Sequence, residues 1–239
     1  MDTTVKGLIL KSIDYKEADK LLTILTLEKG KIYVRARGVK KSTSKLKAFC
    51  QSFCFADVEL IDGKAGYVLS GINCIDSFFE ITKDLDKFAY GFAVLEILDK
   101  ICVENETYPK LFVEALKCIK TMNYSKLDPR LVLCKFIIGV LKFEGFNLNL
   151  NTCSNCKTPL LSNLYFDLSS GEILCSACRN FDSIEIEKSV FSTLKILTQN
   201  DYDKLQTIKI SKTILEKTLN VLSQNLTYKY EIKLKSLKL

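Results

Sequence analysis

The hydrophobic period of the chain changes once, near residue 80, and that change limits the fold more than any other feature. Before it, apolar residues recur at alternate positions in short runs: 5–13, 20–27, 32–39, 53–60 and 67–72. Successive side chains of a strand point to opposite faces, so each such run has one face to bury. Leu21, Thr23, Leu25 and Leu27 share a face of the second run, and Ile32, Val34 and Ala36 share a face of the third. Asp62-Gly63-Lys64-Ala65-Gly66 separates the last two runs and reads as a hairpin turn. Five short strands with no helix-length pattern among them predict a small β-barrel.

From residue 82 the apolar positions follow a helical spacing: Leu85, Phe88, Ala89, Phe92, Leu95, Ile97, Leu98 and Ile101 lie within 84–104. Pro109 opens a second helix, through 122. Asp128-Pro129 supplies an N-cap and a first-turn proline for a third, which Gly145 stops. That helix is apolar nearly all round, as the buried centre of a bundle would be. Helical periodicity returns over 187–199 and 211–226, and residues 228–239 alternate basic and apolar. The expected architecture is α+β and multidomain: a barrel over 1–80, then a helical domain over 81–239 interrupted by a separate unit at about 150–181.

The interruption carries Cys153-x-x-Cys156 and Cys175-x-x-Cys178, with 18 residues between the pairs. Two residues between cysteines let both sulfurs of a tight turn face one ion, and a hairpin of this length returns the second turn to complete a tetrahedron. Residues 164–167, Ser169-Ser170-Gly171 and 173–174 read as strand, turn and strand. The spacing predicts one structural zinc ion on four thiolates, which leave no open position for chemistry. A redox dithiol is the other reading. Cys102, Cys118 and Cys134 fall in three different helices and read as core fillers.

There is no histidine, which removes Ser-His-Asp and Cys-His nucleophiles and every His-ligated metal site. No glycine-rich nucleotide loop occurs either, so no catalytic residue is assigned. No apolar run reaches the length of a membrane span. The acidic start Met-Asp-Thr-Thr, with Lys11 closing the short apolar stretch 7–10, does not read as a signal peptide, and a cytoplasmic location is expected.

The formal net charge is +7, from 35 basic and 28 acidic residues, and only four of the basic residues are arginine. Two of these, Arg35 and Arg37, fall in a stretch from Lys29 to Lys47 that holds eight basic residues and no acid. Opposite the Ile32, Val34 and Ala36 face, the same strand presents Lys31, Tyr33, Arg35 and Arg37. Cations for phosphates and a ring for base stacking are what a single-strand platform requires. Lys40, Lys41, Lys45 and Lys47 follow in a loop whose serines and threonine can meet phosphate oxygens. These eight residues are the candidate nucleic-acid site, a solvated strand face being the other reading. Lys229, Lys233, Lys235 and Lys238 either extend it or form a solvated tail.

In order along the chain, the sequence resembles the RecO family of bacterial recombination mediators. The resemblance is carried by residues 11–19, ending in Tyr15-Lys16-Glu17-Ala18-Asp19, and by Thr26-Leu27-Glu28-Lys29-Gly30-Lys31. It continues through the basic segment 36–46, Phe146-Asn147-Leu148, the two cysteine pairs around Tyr165-Phe166-Asp167 and Ser170-Gly171, and the closing Leu234-Lys235-Ser236-Leu237-Lys238. It implies an N-terminal OB-fold, a helical domain with a zinc-binding insertion, and binding and annealing of single- and double-stranded DNA. It also implies contact with RecR and with the acidic tail of single-stranded DNA-binding protein, leading to RecA loading, without bond-breaking catalysis. Two departures stand out: lysine replaces arginine through most of the basic segment, losing bidentate phosphate geometry, and Gly171 is followed by Glu172. Two other functions compete on the residues alone. One is an RNA-binding or transcription-associated protein with a zinc ribbon and an OB domain. The other is a metal-dependent nuclease, for which no clustered carboxylates speak.

Overall fold

The computed structural model describes residues 2–63, 66–145 and 149–237. The chain divides into two compact units, Met1–Asn123 and Tyr124–Leu239.

In the first unit, β1 (Asp2–Tyr15), β2 (Asp19–Thr26), β3 (Gly30–Ala36), β4 (Phe55–Gly63) and β5 (Gly66–Asp76) form a closed barrel in the order β1-β2-β3-β5-β4. This is the OB-fold arrangement. Closure depends on β1, which is longer than its apolar run. Its first half pairs antiparallel with β4, from Asp2↔Ile61 to Leu8↔Phe55, and its second half with β2, from Gly7↔Thr26 to Tyr15↔Asp19. Gly7 and Leu8 are paired on both sides, and a Cβ on Gly7 would stand 2.6 Å from the Ile24 Cγ2. A bulge between Ile9 and Lys11 then turns the strand. Parallel pairing of β3 with β5, at Val34↔Tyr67 and Arg35↔Val68, completes the barrel. Its interior is apolar and includes Val5, Ile9, Leu22, Ile24, Ile32, Val34, Val58 and Leu60.

The face of β2 assigned from sequence to Leu21, Thr23, Leu25 and Leu27 is the outer one, since Leu22 and Ile24 point into the core. Helix α1 (Leu85–Ile101) packs on β1 and β2, which explains why Leu8, Leu10 and Leu25 are fully buried outside the barrel core. Asp84 caps α1 by accepting from Lys87 N at 3.0 Å. Phe53 sits edge-on to Phe92 at 4.9 Å, and a Cβ on Gly91 would lie 3.0 Å from the Phe53 ring. Phe53 also has φ 74, so β4 begins at Phe55 and not at 53. Helix α2 (Pro109–Tyr124) brings Phe112 to 6.2 Å from Phe55.

In the second unit, α3 (Pro129–Phe143) is capped by Asp128, which accepts from Arg130 N at 2.9 Å. Its buried positions run from Arg130 to Leu141 on all sides, the burial its composition requires. It packs against α4 (Lys188–Gln199) and α6 (Lys212–Tyr230), and a short α5 (Tyr202–Leu205) joins these two. Between α3 and α4 lies a sheet of order β7-β6-β8, from β6 (Leu164–Asp167), β7 (Ile173–Cys175) and β8 (Ser183–Ile186). The sequence reading lacks β8, which is only four residues long and offers a single alternation, Ile184 and Ile186. Helix α6 runs on to Tyr230 and stops at Glu231, with φ 55, so the alternating tail begins inside a helix. Residues 64–65, 146–148 and 238 lie outside the described residues, with part of the 62–66 turn, the Phe146-Asn147-Leu148 motif and Lys238. No described helix is long and apolar enough to cross a membrane.

Candidate metal centre and nucleic-acid interface

The four cysteines meet in the small-sheet region. The Sγ atoms of Cys153, Cys156, Cys175 and Cys178 all lie within 4.8 Å of one another. Each pair forms a tight turn: Lys157 N donates to Cys153 O at 3.0 Å, and Cys178 N donates to Cys175 O at 3.1 Å. The turns are joined by Ser154 N donating to Ile173 O at 3.1 Å and by Cys175 N donating to Cys153 Sγ at 3.4 Å. A tetrahedron with metal–sulfur bonds of about 2.3 Å has an edge near 3.8 Å. Cys156 Sγ and Cys175 Sγ are 3.7 Å apart.

Proton sharing follows from this crowding. The Thr158 hydroxyl, 3.0 Å from Cys156 Sγ, and the Thr158 backbone draw the Cys156 thiol down to about 6. Cys178 is pushed up to about 12, chiefly by its side-chain hydrogen bond with Cys156. A divalent cation would hold all four as thiolates. The cluster is thus capable of holding a metal ion, and its all-sulfur donor set and tetrahedral spacing fit zinc.

Behind the cluster, Asp167 ties the hairpin together. It accepts from Ser169 N at 2.8 Å, Ser170 N at 3.1 Å and Asn180 Nδ2 at 2.7 Å. Burial pushes this carboxyl up, but hydrogen bonds from Ser169, Asn180 and Ser170 outweigh burial and hold it below its ordinary value. Asn225 of α6 donates to Leu168 O at 2.8 Å, fixing the hairpin on the helix.

The basic strand lies on the barrel, and its residues divide into two groups. Lys31 is buried: its Nζ donates to Asp99 O at 2.6 Å, under the C-terminal turn of α1. Arg35 donates through Nε at 2.8 Å and Nη2 at 2.6 Å to Asp19 Oδ2, and its guanidinium lies 5.4 Å from the Tyr15 ring centroid. Lys40 pairs with Asp14 at 2.7 Å. By contrast, Arg37, Lys41, Lys45 and Lys47 are exposed and make no ion pair among the described residues. Tyr33 is exposed two positions before Arg35.

The loop base is fixed by the β1–β2 turn. Asp19 Oδ1 accepts from Gly38 N at 2.8 Å, and Ala18 O accepts from Lys40 N at 2.9 Å. The Gly38 N–H first, then the Arg35 guanidinium, hold the Asp19 carboxyl below its ordinary value. Sequence reasoning missed Asp14, Tyr15 and Asp19 as parts of this surface. Their signal was present in the turn that carries an aromatic and three acids beside a basic strand.

The C-terminal lysines do not share one environment. Lys229 is partly buried near the Tyr230 ring, and burial lowers its pKa, whereas Lys233 and Lys235 are exposed.

Two family models cover the chain. The model described as Recombination protein O N terminal covers residues 1–78, and that described as Recombination protein O C terminal covers residues 82–238. The DNA repair protein RecO of Clostridium perfringens is 31% identical over 233 residues, which is 98% of this chain and 95% of that protein. That of Dehalococcoides mccartyi is 29% identical over 238 residues, 99% and 94% of the two chains.

Proposed function

The chain belongs to the RecO family, and on that premise we propose that it is a non-catalytic recombination mediator acting in DNA repair. It binds single- and double-stranded DNA and anneals complementary strands. With RecR it helps to load RecA onto single-stranded DNA coated by single-stranded DNA-binding protein, whose acidic C-terminal tail it contacts. It works in the cytoplasm, at the nucleoid. Residues 1–80 are the nucleic-acid-binding OB domain. Residues 81–239 are the helical domain, with Cys153, Cys156, Cys175 and Cys178 holding one structural zinc ion.

The observation that carries this reading is the set of exposed cations that follows β3 and makes no ion pair among the described residues: Arg37, Lys41, Lys45 and Lys47. Annealing brings two polyanions together, and the main obstacle is their mutual repulsion. A run of uncommitted cations displaces counterions from both strands and lowers that repulsion. Arg35, Tyr33 and Lys40 border the run, and Lys31 is buried against Asp99. Lys233 and Lys235 offer a second basic segment.

Zinc would cross-link the two cysteine turns and supply no Lewis-acid chemistry, because four thiolates fill its coordination shell.

The test is annealing of two complementary oligonucleotides coated with the cognate single-strand binding protein, at moderate salt. A rate well above that without protein supports the mediator reading. Binding of naked strands with no acceleration reduces it to a generic basic OB module, and stronger binding to RNA than to DNA moves the RNA-binding reading ahead.

A further inference from the structure

Arg35 is exposed enough to meet a ligand, yet its charge is already committed. Two of its nitrogens donate to the same Asp19 oxygen, and the guanidinium carbon stands over the Tyr15 ring, 5.4 Å from its centroid, with the Lys16 ammonium 5.6 Å from the same centroid. A guanidinium paired in this way is a poor phosphate ligand but a good planar surface. Around it, the outer face of β1, β2 and β3 beyond the reach of α1 carries exposed apolar and aromatic side chains. Ile13 is 55% exposed, and Tyr15 and Tyr33 are each 41% exposed. Ile13 and Leu21 are register partners, and so are Leu21 and Arg35, which places the three in one row across the sheet. The exposed cations Arg37, Lys41, Lys45 and Lys47, which make no ion pair among the described residues, follow along the chain.

We propose that Tyr15, Tyr33 and the Asp19-clamped Arg35 form a stacking subsite for unpaired bases of single-stranded DNA, separate from the cations that take the phosphates. This rests on the nucleic-acid-binding reading above and divides its surface into two parts. The apolar and planar groups can meet a base only when it is out of a duplex, because paired bases hide their faces in the stack. The cations meet phosphates of either form. Asp19 is a positioning residue: one oxygen holds Arg35 over Tyr15, and the other holds Gly38 N and so the start of the basic loop. The occupant is a single strand of nucleic acid and not an apolar protein segment, because the patch is continuous with a run of eight basic residues and no acid from Lys29 to Lys47.

The experiment uses the full chain, with three probes of equal length: an oligo-dT strand, an abasic strand with the same phosphates, and a duplex. Binding is measured by fluorescence anisotropy from low to moderate salt. The subsite predicts that the abasic strand binds about as well as the duplex, and that oligo-dT binds more tightly than either. Tyr15→Ala should weaken oligo-dT roughly 5- to 150-fold, the range found for loss of one base–aromatic stack. It should leave duplex affinity and the salt slope unchanged, and Tyr15→Phe should restore binding. Asp19→Asn should release Arg35 to a phosphate and steepen the log–log salt slope by about 0.7, which loss of structure alone would not do. Equal affinity for oligo-dT and abasic strands would overturn the subsite whatever the variants do, and so would parallel weakening of oligo-dT and duplex by Tyr15→Ala. If the wild-type chain bound none of the three probes, the nucleic-acid reading itself would fail.

Discussion

The barrel and the cysteine hairpin contain strands of the same chemistry but are held by opposite means. The barrel strands are 7 to 14 residues long, close on themselves, and surround a continuous apolar interior. Each fully buried Val, Leu or Ile there contributes about 1.5–3 kcal/mol, so stability is spread over many side chains. The hairpin strands are three and four residues long, below the length at which a short sheet stands alone in water. Phe166 and Ile173 are fully buried beneath it, but most of its order converges on four sulfur atoms. Distributed burial tolerates single substitutions, whereas a centre of four ligands fails as a unit.

Metal removal should separate the two regions most. Cys175→Ser, or a strong chelator, is expected to release one equivalent of zinc and to lower the melting temperature. Ion binding in small structural sites is worth roughly 10–16 kcal/mol at neutral pH, so the local effect is nearly all-or-none. Amide exchange at β6 and β7 should then reach unprotected rates while the β1–β4 ladder keeps its protection. Equal loss in both regions would contradict the contrast, and unchanged metal content in Cys175→Ser would remove the zinc assignment.

A truncation in the seam between the barrel and α1 sharpens the other side. Phe53 is 1% exposed and lies against Phe88 and Phe92, so Phe53→Ala should cost about 3–5 kcal/mol in chemical denaturation. Zinc content per folded molecule should stay the same.

Acid should separate the two regions by order of failure. Thiolate ligands compete with protons, so the hairpin should lose its ion as pH falls from neutrality toward 5. Asp19 fails in the same direction but at lower pH. Its folded pKa lies below the unfolded value, so its contribution is full above about pH 4 and is lost only as pH falls through the lower folded value. At pH 5 the Gly38 amide should remain protected from exchange while the hairpin amides are not. Exposure of Gly38 first would show that the clamp on the loop is weaker than the metal centre.

How far each region could be read from sequence follows from the range of its interactions. The cysteine centre was legible because its ligands sit in two local turns with a fixed spacing. The five barrel strands were legible from their period of two, and α3 from Asp128-Pro129 and its all-round apolar surface. Closure was not, because it depends on β1 pairing on both sides at Gly7 and Leu8 and turning at the Ile9/Lys11 bulge, and on β3 meeting β5 in parallel, none of which alternation specifies. The state of each cation was equally hidden. Lys31 and Arg35 share a face of β3, and Arg37 follows just past its end, yet Asp99, 68 residues away, takes the first, and Asp19, 16 residues away, takes the second. A charge count over 29–47 treats all three alike.

That distinction yields the prediction with the smallest effect on stability and a clear effect on binding. Arg37 and Lys41 are exposed and make no ion pair among the described residues, so Arg37→Glu with Lys41→Glu should change unfolding free energy by no more than about 0.5 kcal/mol. If each takes one phosphate, the log–log salt slope for single-stranded DNA should fall by about 1.4, roughly 0.7 for each phosphate no longer neutralised. Lys31→Glu should behave in reverse. It places a carboxylate beside Asp99 in a buried site, so the barrel should lose stability before any change in slope is read. A Lys31 variant that folds normally and flattens the slope like the Arg37 and Lys41 pair would mean that the buried lysine reaches DNA, and the division between structural and DNA-facing cations along β3 would have to be redrawn.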